Sequence, residues 1–391
     1  MKIAFAIEHF DPRRGGAEQY TWSLAKWLAA RGHEITVFTT HAEQPDFSVE
    51  INLLDVPGGS RARWPLRVAA ALQAALRGKT FDVVHGANHI WPCDVLRLGG
   101  GVHVAFEHHN AMAGPSPARR AIKEFSNRWL PRQRSLRENE RHQFDDPARH
   151  FIAVSQRVAD DMARAYPSCV GRIHVIHNGV DCEKFSPDAI APRRAAARAN
   201  AGLRDGEIAL LFVSNNFRLK GLHDLIAALP LLPKSGVENF RLLVAGRGKT
   251  EPFKRLASLL GVARRIHFLD RDGAMLDHFA AADLLVHPTY YDACANVPIE
   301  AAACGLPVIL SDMSGINEVM AGNGGVKIIS MPCPPDEFAR TIASACAPDF
   351  RGQARAANRG LALQNRIEKN YERVLALYEE IAAAKRGGRA P

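Results

Sequence analysis

Nowhere in its 391 residues does the chain hold an apolar run of the ~18–20 residues that a membrane-spanning helix needs. Its seven cysteines are scattered, odd in number and without a C-x-x-C pair, which argues for reduced thiols rather than a disulfide framework. The first apolar run, Met1 to Ile7, meets Glu8 and His9 too soon for a signal-peptide core and has no small-residue cleavage site. These absences together set the expectation of a cytoplasmic protein. No repeat, low-complexity tract or heptad pattern is present, and no G-x-G-x-x-G follows the first strand-like run, so a dinucleotide fingerprint is missing.

What is present is ordinary globular composition, 47% apolar and 23% charged, in a chain longer than one hydrophobic core usually supports. Two domains are therefore expected. The net charge of +9 suggests an anionic partner, and the arginines and lysine between Arg119 and Arg141 concentrate that charge in segment 115–142. Phe125, Trp129 and Leu130 sit among them, as in a helix that lies in an anionic membrane surface, and Pro131 should split the segment into two short helices. No basic motif interleaved with aromatics points to nucleic acid.

Short β-branched runs alternate with amphipathic stretches. Strands are expected at 2–7, 35–39, 51–56, 82–85, 151–154 and 173–176, and again at 208–213, 240–245, 265–268, 284–287, 307–310 and 326–329. Helices are expected at 17–31, 65–77, 221–231, 252–260, 296–304 and 335–345, with one strandless helical stretch from Gln353 to Lys385. The pattern reads as α/β, two doubly wound parallel sheets joined near the Asn178-Gly179-Val180-Asp181 turn. Ligands of such sheets bind beyond the carboxyl ends of the strands, so chemistry is sought in the residues just after them.

Three such places stand out. Gly15 and Gly16, after the first strand, allow backbone N–H groups to approach an anion at a helix start. Arg218 and Lys220, before Gly221, put two cations ahead of a helix, where they suit a diphosphate. Asp292 and Glu300, with Asn296 and Val297 between them, follow the run Leu284 to His287 and place one carboxylate in a loop and another on a helix. Three further patterns carry less. Gly248-Lys249-Thr250 ends like a phosphate loop but lacks its first glycine, Asp270-Arg271-Asp272 has nothing nearby to complete a metal sphere, and His85 and His89 are separated by turn residues.

Taken together these residues resemble the GT-B retaining glycosyltransferases of family 4. The resemblance rests on Ala282-Asp283, His287-Pro288, Asp292 to Glu300 and Gly305-Leu306-Pro307-Val308, spaced like the family's "AD…HP…E-x7-E…G-x-PV" block. Asn178-Gly179-Val180-Asp181 with Phe185, Lys220-Gly221 and Gly15-Gly16 match its other motifs. Arg218 to Gly221 and Ala282 to Tyr290 look most like the lipopolysaccharide-core glucosyltransferase group. Asp292 replaces the usual first glutamate, Ala295 a glycine, and Asn215 an arginine.

The resemblance implies an acceptor-side domain at 1–178, a nucleotide-sugar domain at 179–365 facing it across a cleft, and a terminal helix, 366–391, that returns to the first domain. It implies transfer of a hexose, glucose from UDP-glucose above others, to a lipopolysaccharide-core or other phosphorylated glycan, with retained configuration and without metal or other cofactor. Lys220 and Arg218 would meet the leaving diphosphate, aided by Gly15, Gly16 and the amides of Asn296 and Val297. Asp292 would hold sugar hydroxyls, Glu300 the ribose, and His103 the sugar or acceptor. The rival expectations are a sugar-nucleotide epimerase of the same fold and a family-4 transferase with another acceptor.

Overall fold

Strands buried on both faces give up alternation for continuous apolar runs, and those runs form two all-parallel sheets here. The protein is described from a computed structural model covering residues 1–114, 117–269 and 274–388, without the side chains of Arg61, Arg128 and residues 117–120. The Asp270-Arg271-Asp272 triplet lies outside the described residues, as do residues 115–116 and the side chains of Arg119 and Arg120.

The first half contains β1 (Lys2–Ala6), β2 (His9–Phe10), β3 (Glu34–Thr39), β4 (His41–Ala42), β5 (Glu50–Leu53), β6 (Val83–Ala87), β7 (Val95–Leu98), β8 (His150–Ala153) and β9 (Ile173–Val175). Seven of these form one sheet in the order β5-β3-β1-β6-β7-β8-β9, while β2 and β4 pair separately. In the register, Phe5 lies between Val37 and His85. Ala4, Phe38, Val68 and Leu72 pack against one face.

The second half contains β10 (Ile208–Val213), β11 (Phe240–Ala245), β12 (Ile266–Phe268), β13 (Leu284–His287), β14 (Val308–Ser311) and β15 (Val326–Ile329). They form a sheet in the order β12-β11-β10-β13-β14-β15. Phe212, Phe240, Leu284 and Phe338 share its core. Two compact units result: residues 1–108, 118–177 and 369–391 form one, and 109–117 with 178–368 the other.

Two expectations need correction. Val95–Leu98 is a central strand that the apolar pattern does not reveal, because Arg97 interrupts it. That arginine is buried, with its guanidinium 3.6 Å from the centre of the Tyr20 ring, a cation–π contact that makes the position tolerable. The expected single terminal helix is two, Pro348–Gln364 and Ile367–Arg386. Val180 separates them by donating to Asn365 O and accepting from Ile367 N, both at 3.0 Å. The basic segment does divide at Pro131, into helices Pro117–Trp129 and Pro131–Phe144.

Each sheet reverses its winding once, between β1 and β6 and between β10 and β13. Neighbouring crossovers leave in opposite directions there, which opens a crevice at the strand ends. In the second unit this crevice is tight. Gly221 takes φ +73°, and a Cβ on it would collide with the Pro288 carbonyl. Gly202 has a similar φ of +64° but no neighbour within 4 Å. Gly202→Ala should therefore cost about 1 kcal/mol, the left-handed penalty alone. Gly221→Ala should cost at least about 2 kcal/mol more because backbone must also move. Urea unfolding of both variants checks this, and equal losses would contradict the close approach.

Candidate functional site

In the second unit, the segment after β10 is wound tightly by its own polar groups. Ser214 Oγ accepts from Asn216 N at 2.8 Å, Asn216 Oδ1 accepts from Leu219 N at 3.2 Å, and Phe217 and Leu219 are buried beneath. The winding brings Lys220 to the segment after β13, where Tyr290 N donates to Leu219 O at 2.8 Å. Lys220 Nζ donates to Tyr291 O at 2.8 Å and forms an ion pair with Asp292 Oδ2. Both side chains are more than four-fifths buried, at 16% and 18% exposure.

Asp292 is held in place by more than this pair. Its Oδ1 accepts from Cys294 N at 3.1 Å, and Gly315 N donates to its carbonyl at 2.8 Å. Burial is the largest influence on its carboxyl and pushes the pKa upward. The Lys220 charge and the buried His287, whose Nε2 lies 3.6 Å away, outweigh it and hold the group far below the usual carboxylate range.

The helix Asn296–Ala303 starts immediately afterwards, so the amides of Asn296 and Val297 are among those with no partner inside the helix. Asn178 fixes this start by donating to Cys294 O at 2.9 Å and Asn296 Oδ1 at 2.8 Å. Glu300 lies one turn along. Burial pushes its carboxyl up to about 7; Lys184 opposes the shift and Asp181 adds to it. Arg218 sits two residues before Lys220 and donates to Asn110 Oδ1 at 2.5 Å, within the short piece that clusters with this unit. The structure thus brings Lys220 and Asp292 into contact and puts Asn296, Val297 and Glu300 on the helix that follows. The Asn178 link was not foreseen, although the Asn-Gly turn signal marks its position.

In the first unit, Gly16 opens the helix Gly16–Ala29, with Gly15 extended as its cap and no side chain capping the first turn. A cavity of about 490 Å³ lies at the β1/β6 switch, lined among others by Glu8, Trp64, His89, Gly101, His103 and Arg132. Gly15 and Gly16 are not part of its lining. Glu8 Oε1 accepts from Trp64 Nε1 at 2.8 Å, which sets a carboxylate at the edge of the indole ring. His103 is the first residue of helix His103–Met112, and its backbone N–H donates to Glu140. Burial pushes its imidazole down to about 4, with Gln133 opposing and His89, Arg137 and Arg132 adding to the fall.

The weaker patterns take structural roles. His85 is fully buried on β6 with its Nδ1 2.6 Å from the Tyr378 hydroxyl, not paired with His89 around a metal. Gly248-Lys249-Thr250 forms the approach to helix Glu251–Leu259. Among the described residues, no three His, Cys, Asp or Glu side chains converge as a metal site would require.

Two Rossmann-like units with all-parallel sheets and site residues at their strand ends give this protein the GT-B glycosyltransferase fold. The family described as "Glycosyltransferase Family 4" matches residues 14–184, and "Glycosyl transferases group 1" matches residues 193–359. The chain belongs to the family-4 glycosyltransferases and is similar to those of the lipopolysaccharide core. The lipopolysaccharide glucosyltransferase WaaG of Escherichia coli K12 is 27% identical over 88% of this chain and 89% of its own length. A crystal structure of WaaG superposes with a TM-score of 0.81 at 24% identity, covering 96% and 99% of the two chains. A D-inositol 3-phosphate glycosyltransferase of Xylanimonas cellulosilytica is 28% identical over 78% of this chain and 77% of its own. Anabaena HepE, crystallised in complex with UDP-glucose, has a TM-score of 0.72 at 17% identity, over 97% of this chain and all of its own.

Glu300 makes stability depend on pH with a definite sign. Its folded pKa of about 7 lies above the ordinary value of 4.5, so the folded state binds the extra proton between them. Stability conferred by this group is therefore lost as pH rises from about 4.5 to 7 and changes little beyond. Glu300→Gln should remove that slope, so the variant gains on the wild type between pH 5 and 7. Urea midpoints of both proteins across that range test it, and parallel curves would contradict it.

Proposed function

We propose that the chain transfers a hexose, glucose first, from a UDP-sugar to a lipopolysaccharide-core or similar phosphorylated glycan with retention of configuration. The observation that carries this reading is the cluster at the second unit's switch point: Lys220 against Asp292, followed by the helix start at Asn296 and the half-buried Glu300. A nucleotide sugar needs such groups. Glu300 accepts the ribose hydroxyls, Asp292 accepts sugar hydroxyls, and Lys220 with Arg218 and the Asn296 and Val297 amides meets the diphosphate.

The reaction breaks the bond from the anomeric carbon to the UDP oxygen while the acceptor hydroxyl bonds to the same face. The hydroxyl proton passes to the departing phosphate. Fixed cations and amides meet the charge that develops on it, with no metal assigned a part. The acceptor is placed in the first unit's cavity, where Trp64 offers a flat apolar face, Glu8 a carboxylate and Arg132 a cation for phosphate. The D-inositol 3-phosphate glycosyltransferase relatives favour a second reading, a phosphorylated cyclitol as acceptor in the same cavity.

The kinetic consequences separate the roles. Lys220 meets charge that grows in the transition state, so Lys220→Ala should lower kcat by more than it raises KM for the donor. Glu300→Ala should chiefly weaken donor binding, by the roughly 1.5–3 kcal/mol of a charged hydrogen bond. Asp292→Asn should affect both. Steady-state kinetics with UDP-glucose decides this, and full turnover by Lys220→Ala at saturating donor would refute the leaving-group assignment.

The reading also places the protein at the inner face of an anionic membrane through 115–142. Ile122, Phe125 and Trp129 lie on one face of helix Pro117–Trp129 at 68%, 65% and 67% exposure. Lys123 on that helix and Arg132 and Arg134 on the next supply positive charge. Among the described residues no helix is long and apolar enough to cross a membrane, so attachment would be at the surface. Phe125→Ser with Trp129→Ser should abolish sedimentation with anionic vesicles at low salt. Equal sedimentation of the wild type with neutral and anionic vesicles would refute the attachment.

A further inference from the structure

His103 receives two oxygens on one ring nitrogen. Gln133 Oε1 lies 2.9 Å and Glu107 Oε1 3.6 Å from its Nε2. The second oxygen of Glu107 accepts from Arg137 Nη1 at 3.1 Å, while Oε1 is buried with no hydrogen-bond partner of its own. An ionised carboxylate only accepts. A ring lone pair aimed at this oxygen would be repelled, whereas an N–H is attracted, and the Gln133 carbonyl oxygen asks for the same proton. A neutral imidazole carries one N–H, so the other nitrogen, Nδ1, keeps the lone pair.

We infer that Gln133 and Glu107 are positioning residues that hold His103 as its Nε2–H tautomer, so that Nδ1 offers an acceptor to a substrate hydroxyl in the first unit's cavity. The inference rests on the reading above that His103 acts on substrate. It makes a chemical selection: an acceptor nitrogen welcomes a hydroxyl and disfavours a phosphate or carbonyl oxygen at that point. Phosphate would then be left to Arg132, which lines the same cavity.

The groups around the ring keep charge from obscuring the tautomer. Glu107 comes from its own helix, Gln133, Arg132, Arg137 and Glu140 from helix Pro131–Phe144, and His89 from the segment after β6. Burial and the surrounding positive groups keep the imidazole neutral through pH 5–8. Over that range the location of one proton, not its presence, is what the neighbours decide.

The full-length protein labelled with 15N-histidine tests this through long-range 1H–15N spectra at pH 7, with His103→Asn assigning the signals. The wild type should show a protonated Nε2 and a bare Nδ1. Gln133→Leu combined with Glu107→Gln should give mixed tautomers. Gln133→Glu keeps an acceptor, so it should preserve the tautomer and raise the ring's titration midpoint. UDP release from UDP-glucose should fall about five- to tenfold in kcat for Gln133→Leu, the size of one neutral hydrogen bond, and recover in Gln133→Glu. A wild-type ring protonated on Nδ1, or a tautomer unmoved in the double variant, would overturn the inference. If the tautomers respond as expected but even His103→Asn turns over UDP-glucose like the wild type, the proton assignment survives and the substrate role of His103 falls.

Discussion

An ammonium group taken out of water needs an opposite charge, and in the second unit Asp292 is that charge for Lys220. The local backbone is arranged around this requirement. Thr289 Oγ1 donates to Tyr291 O at 2.7 Å, and Ser311 Oγ donates to Thr289 O at 2.7 Å, so β14 braces the segment that carries Asp292. Gly221 allows the segment after β10 to come close enough for the pair to form. Removing either charge would strand the other, which makes the pair a constraint on both loops rather than a surface ornament.

The two carboxylates of this site are eight residues apart and shifted in opposite directions. Burial acts upward on both. Asp292 has Lys220 in direct contact, whereas the charges that act on Glu300, those of Lys184 and Asp181, oppose one another. The difference gives them different availability. Asp292 is ionised and already committed to Lys220, while Glu300 is poised near neutrality. On the proposed reading, a diphosphate arriving at Lys220 replaces Asp292 as its partner and frees that carboxylate for sugar hydroxyls.

The sequence made the sheets legible where burial on both faces produced apolar runs, as across β10, Leu242–Ala245 of β11 and Leu284–Val286 of β13. It hid β7 because Arg97 looks like a break, and the Tyr20 ring that receives its guanidinium lies far away in sequence. The division between the last two helices was equally hidden. Residues 364–367, Gln-Asn-Arg-Ile, contain neither glycine nor proline, and the interruption is imposed by Val180 from far upstream. The site followed the same logic. Its residue types and spacing were readable between Ala281 and Val308, but the Lys220–Asp292 contact and the Asn178 anchor depend on pairings that no local pattern encodes. Gln133 and Glu107 were invisible for that reason too.

The charge of +9 shows why composition is a blunt guide to ligands. Several arginines are bound to groups of the fold itself. Arg194, Arg198 and Arg351 surround Asp283 at 2.6, 3.1 and 3.5 Å, and Arg149 is buried with its guanidinium bonded to Cys93 O and Gln143 O. Arg359 donates to Cys182 O, Phe185 O and Ala303 O at 2.9–3.1 Å. The last of these satisfies the carboxyl end of the helix whose amino end is formed by Asn296 and Val297, and a cation there complements the helix dipole. With Arg359 fixing one end and Asn178 the other, the helix presents its free amides in a set direction. On the proposed reading, positive charge far from the crevice serves anion binding indirectly, by orienting neutral N–H groups instead of touching the anion itself.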